Sequence, residues 1–182
     1  MSTLRTTNIQ HPSAVAPNLV LSSDGGVVDV NGLPLGNKIL QVVRATDSTD
    51  RTTTSTTYVD VTGMSVTITP QKSDSAVLII ASYQAETGGS SSGIESIADF
   101  RITDSSNNAI SGSENGTTQI SAVGATFVIG GQMATQIAYA TPATTSAITY
   151  KLRFKSRGGA TDPATVRNAE STGQMFAIEV AA

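Results

Sequence analysis

The chain has 182 residues, a net charge of −3, 14% charged side chains, no tryptophan and no cysteine. Disulfides and thiol chemistry are therefore excluded, and no apolar run approaches the ~20 residues of a membrane-spanning helix. A nucleic-acid binder is expected to show a basic stripe; the nearest candidate, Lys151, Arg153, Lys155 and Arg157, occupies alternate positions and reads as the solvated face of one strand. Aromatic residues make up only 4% of the chain, so Ala, Val and Ile must supply most of the core. Ser and Thr account for roughly a quarter of it. Val and Thr lose side-chain freedom in helices and suit a pleated surface, so the composition points to an all-β protein.

Residues 1–37 read as an extended arm. They are apolar yet broken by Pro12 and Pro17, with neither helical periodicity nor clean alternation. Asp24-Gly25 and Asn31-Gly32 are turn dipeptides, and Val27 to Val30 suits a short strand. No basic cluster precedes an apolar stretch, so no signal peptide is expected. From Lys38 the texture becomes strand, turn, strand. Ile39 to Arg44 alternates; Asp47 to Ser55 reads as a polar loop; Tyr58 to Val61 is a strand broken by Thr62-Gly63; Met64 to Thr69 alternates again until Pro70. Ala76 to Ala81 is continuously apolar, as in a central strand covered on both faces.

Glu86 to Gly93 reads as a flexible Gly/Ser loop and Ile97 to Thr103 as a strand. A polar turn region spans Asp104 to Gly116. Ala125 to Ile129 and Gln132 to Tyr139 follow, joined or bulged at Gly130-Gly131. The clearest strand places Ile148, Tyr150, Leu152 and Phe154 on one face and Thr149, Lys151, Arg153 and Lys155 on the other. After a long loop, Gly158 to Gly173, the last strand is expected to bury Phe176, Ile178 and Val180 with Glu179 outward. Eight to ten short strands spaced by turns predict a jelly-roll-like antiparallel β-sandwich over residues 38–182. Sustained heptads for a coiled-coil shaft are missing.

Two stretches carry a resemblance. The opening, with Ile9-Gln10, Pro12-Ser13, Pro17-Asn18-Leu19-Val20-Leu21 and Asp24-Gly25, resembles the start of virion structural proteins of tailed phages, the marine and cyanobacterial ones especially. The later succession of Thr69-Pro70, Ala76 to Ile80, Thr149 to Phe154 and Met175 to Val180 resembles the β-sandwich head domains of phage fibres and other virion proteins, similar in outline to trimeric jelly rolls of the tumour-necrosis-factor and C1q type. The resemblance implies a virion protein assembled in the host cytoplasm, with self-association as a homotrimer.

Catalytic chemistry finds little footing. His11 is the single histidine, too few for a typical zinc site, and reads as a polar or docking residue next to Pro12. Gly88 to Gly93 lacks the strand-turn-helix context of a nucleophile elbow. The loop acids Asp47, Asp50 and Asp104 suit a hard cation but follow no spaced calcium signature. No cofactor and no enzymatic activity are expected. The expected function is a head decoration or cement protein, or a short surface projection. Its arm would dock through Ile9, Val15, Leu19, Val20 and Leu21 on another virion protein, the major capsid protein or a tail protein. The alternatives are a tail-fibre receptor-binding protein and a carbohydrate-binding module contacting a host glycan, with Tyr58, Tyr83 and Tyr139 as its aromatic candidates. Neither nucleic acid nor membrane is an expected partner.

Overall fold

The computed structural model describes residues 38–89, 95–121, 128–158 and 162–182, together with three short strands near the N-terminus. The chain divides into two compact units, Met1–Lys38 and Ile39–Ala182. In the first, β1 (Asn8–Ile9), β2 (Leu19–Leu21) and β3 (Val27–Val28) pair as a small antiparallel sheet in the order β1-β2-β3.

The second unit is an all-β sandwich. Its strands are β4 (Ile39–Asp47), β5 (Arg51–Thr53), β6 (Val59–Ile68), β7 (Ala76–Gly89), β8 (Glu95–Thr103), β9 (Gly116–Ser121), β10 (Val128–Ala140), β11 (Ile148–Ser156), β12 (Ala164–Val166) and β13 (Gly173–Val180). One sheet runs β4-β13-β7-β10. The long strand β7 is its spine: β10 pairs along one edge, while β13 and then β12 share the other, with β5 beyond β12. The second sheet runs β6-β11-β8-β9. Successive strands mostly cross from one sheet to the other, and the two four-strand paths, with β12 and β5 added to the first sheet, form an antiparallel jelly roll.

Alternation decides what fills the space between the layers. Val61, Met64, Val66 and Ile68 of β6 meet Val77, Ile79, Ala81 and Tyr83 of β7 in one buried cluster with Phe100, Leu152 and Phe154. The few aromatics are concentrated there: the Tyr83 and Phe100 ring centroids lie 5.0 Å apart, and those of Phe100 and Phe154 6.2 Å apart. Tyr150, Leu152 and Phe154 face inward as the sequence pattern requires.

Several expectations are corrected. Arg51–Thr53 is a strand inside the expected 47–55 loop, and Ala164–Val166 one inside the expected 158–173 loop. β7 continues through Glu86 to Gly89, where a loop was expected, because β10 pairs with it throughout. β10 passes Gly130-Gly131 without a register shift, so there is no break or bulge at the pair. Thr62-Gly63 does not end a strand either. β6 runs on through a bulge, with residues 61–64 opposite Leu152 alone, and Gly63 takes a φ of 94°. Glu179 points inward and is fully buried, whereas Phe176, Ile178 and Val180 point outward and are half-buried. Its carboxylate has donors waiting in the 70–75 turn, so the polar residue is the one the interior requires.

Candidate functional site

The outer face of the β4-β13-β7-β10 sheet is apolar toward the end where β4 begins. Register aligns side chains in rows across the four strands. Val42, Ile178, Leu78 and Tyr139 form one row, and Arg44, Phe176, Ile80 and Ile137 the next. Ile39 and Val180 continue it at one end; at the other a polar row, Thr46, Gln174, Ser82 and Thr135, separates it from Met133. Ile39, Val42, Met133, Ile137 and Tyr139 are each between 53% and 59% exposed. The continuous apolar run of β7 thus serves two faces, Val77, Ile79 and Ala81 in the core and Leu78 and Ile80 on this surface. The expected cover on both faces is met on the core side alone. Arg44 is the one charge in these two rows; its guanidinium lies 5.8 Å from the Phe176 ring centroid, and its Nε donates to Gln174 Oε1 at 3.1 Å.

The outer face of the second sheet is the chemical opposite. Lys151 Nζ and Arg153 Nε reach Asp60 at 3.0 and 2.7 Å. Lys155 Nζ and Arg157 Nε reach Asp99 at 3.5 and 2.8 Å. The Arg101 guanidinium lies 3.8 Å from the Tyr58 ring centroid and Lys155 Nζ 5.0 Å from it. The Arg157 guanidinium is held further up its basic range by the hydrogen bond to Asp99. Burial, followed by the charge of Asp99, pushes the Tyr58 hydroxyl up. The alternating cations of β11 therefore form a tethered ladder over a strand face.

A cleft of 380 Å³ opens at one end of the sandwich between the loop after β8 and the loop after β10, lined among others by Asp104, Ser105, Thr141, Thr144 and Tyr150. Asp104 is occupied by its own loop. Burial works to raise its carboxyl, but hydrogen bonds from the Asn108 side chain and from the Asn108 and Ser106 backbones outweigh it and hold it below the usual range. The Tyr150 hydroxyl is pushed up to about 12, first by burial and then by Asp104. Asp47 and Asp50 lie at the other end. Asp47 accepts from Asn168 Nδ2 at 3.1 Å and sits 3.6 Å from Arg51; Asp50 faces Arg167 and the Ala169 amide. The three acids considered for a cation are not brought together, and among the described residues no cluster of three His, Cys, Asp or Glu forms.

Of the arm residues expected to dock, Ile9 stands opposite Leu19, Val20 between Asn8 and Val28, and Leu21 opposite Val27. Val15 and His11 lie outside the described residues, as does most of the Gly/Ser stretch 88–93. Tyr83 is withdrawn as a glycan contact because it is buried at 1% exposure against Phe100. Tyr58 is half-buried beneath Arg101 and Lys155, and Tyr139 is open. The apolar face escapes sequence reading because an apolar residue is assigned to the core by default. The signal was the unbroken run in β7, with both of its faces apolar.

No protein-family model matches the chain, and no curated protein matches it. Among solved structures, the chain is similar to the VP2 subviral particle of infectious bursal disease virus, with 13% identity and a TM-score of 0.34, over 92% of this chain and 46% of that one. The Gx strain of that virus gives 11% identity and a TM-score of 0.30, over 86% of this chain and 39% of the other. The Gt strain gives 15% and 0.28, over 92% and 47%. The chain spans less than half the length of each of these. At such identities and TM-scores the likeness assigns neither a family nor a function.

Proposed function

We propose that this chain is a virion structural protein that acts by binding rather than catalysis. Residues 38–182 are the displayed domain and pack with further copies of it, as a trimer. Residues 1–37 dock on a neighbouring virion protein, the major capsid protein or a tail protein, through Ile9, Val15, Leu19, Val20 and Leu21. A head decoration or cement protein, or a short projection, suits a single small sandwich with an arm. The observation that carries this reading is the open apolar sheet face, since a contiguous patch of this kind marks a protein contact. The phage-like opening of the sequence supports the particle as its setting.

Particles lacking the protein, incubated with labelled full chain, test the reading. The wild type is expected to bind and to be seen on the capsid shell by electron microscopy, while a Leu19→Asp, Leu21→Asp double variant stays in solution. Label on the tail would favour the fibre reading. No binding by the wild type would overturn the proposal. A glycan-binding role has the end cleft and Tyr139 as its candidates, and a glycan array with no bound sugar would remove it.

A further inference from the structure

We propose that the outer face of the β4-β13-β7-β10 sheet is covered by a second copy of this chain. The proposal rests on the reading that the chain works among its own copies, and it assigns the surface at which they meet. All five large apolar side chains that the described residues leave more than half exposed, from Ile39 to Tyr139, stand on this one face. With half-buried Leu78, Ile80, Phe176 and Ile178 between them, they leave on the order of 600 Å² of apolar surface, taking aromatic-sized side chains at ~150–250 Å² each. That is the upper end of what ordinary monomers show, ~300–600 Å², and approaches the ~800 Å² that each partner contributes to a stable interface.

The composition fits a protein contact. Tyr139, Phe176, Met133 and Arg44 are of the types enriched at interfaces, and Lys, Glu and Asp are missing from the aligned rows. Arg44 stands on the outermost strand and rests on Phe176, so its charge can stay at a wet rim. An acidic partner finds no second cation in these rows. In a closed ring of three, another surface of each copy seats on this face of the next, so every such face is covered by a second copy of the chain.

Light-scattering mass of the full chain tests this, comparing wild type, Ile137→Asp, Tyr139→Asp, Val42→Lys and, as a control on the opposite sheet, Ser65→Asp. Wild type and control are expected at a multiple of 18.7 kDa. The three face variants are expected at the single-chain mass with unchanged circular dichroism, because their side chains already lie largely in solvent. A monomeric wild type would mean that no second copy covers this face. Face variants that keep the wild-type mass would mean that copies meet elsewhere. Either result overturns the proposal, and neither bears on whether the chain binds particles, which the labelling experiment reads separately.

Discussion

Glu179 collects four donors on one buried carboxylate: Gln41 Nε2 at 2.6 Å, Ser75 Oγ at 2.6 Å, and the amides of Gln71 and Lys72 at 2.8 and 3.2 Å. It ties the 70–75 turn and the start of β4 to the last strand. Burial opposes its ionisation, yet these bonds hold its pKa down at about 2 against an ordinary 4.5. A depressed folded-state pKa gives stability that is complete above about pH 4.5 and is lost as pH falls toward 2. Glu179→Gln is therefore expected to lose about 1–3 kcal/mol at neutral pH by denaturant melt, and its stability should vary less between pH 4.5 and 2 than the wild type's. Equal slopes for the two proteins would contradict this account. Gly63 is the second such position. Its φ of 94° is left-handed, and a Cβ there would lie 2.6 Å from Asp47 Oδ1. Gly63→Ala should cost about 2 kcal/mol of backbone strain and crowding, with part of it recovered in the Gly63→Ala, Asp47→Ala double variant when melting temperatures are compared. Neither role was legible in the sequence, because a partner more than a hundred residues away fixes Glu179 and a φ angle fixes Gly63.

Of the strands read as having one apolar and one polar face, β6 and β11 were read correctly and β13 was read with its faces inverted. β11 is the clearest case: Tyr150, Leu152 and Phe154 fill the core while Lys151, Arg153 and Lys155 stand outside. Strands apolar on both faces, such as β7, gave their class but not the state of their outer side. Short strands that lean on a neighbour, β5 and β12, carried too little pattern of their own to be seen. The ion ladder on β11 separates two kinds of pair. Asp60 has a side chain 45% exposed, so Asp60→Ala should cost under about 1 kcal/mol, less still in high salt. Asp99 is only 2% exposed between Lys155 and Arg157. Asp99→Ala should cost more, about 1.5–3 kcal/mol, because the charge-assisted hydrogen bond to a buried carboxylate is lost. Parallel denaturant titrations of the two variants would show the difference, and equal costs would show that burial of Asp99 contributes nothing.

The sandwich is held by pairings distant in sequence: Ile80 meets Phe176, and Ile39 meets Val180. The all-β class was legible from Thr, Val and turn spacing, but which strand pairs with which was not, since alternation has no address. Topology of this kind costs loop-closure entropy before contacts repay it, so refolding of the sandwich is expected in milliseconds to seconds by stopped-flow fluorescence of its tyrosines. The meeting of Ile39 with Val180 also has a mechanical meaning. The first residue of β4 and the last of β13 are opposite one another at one end of the ladder that joins edge strand β4 to the sheet. A load applied across that pair pulls perpendicular to the strands and parts their hydrogen bonds one rung after another. The same load applied between Ile39 and Gly173 runs along the strands and must break many rungs together. The sandwich is thus weak to peeling at its N-terminal junction and strong to stretching along its length, a directional resistance that a force-spectroscopy comparison of the two attachment geometries would read directly.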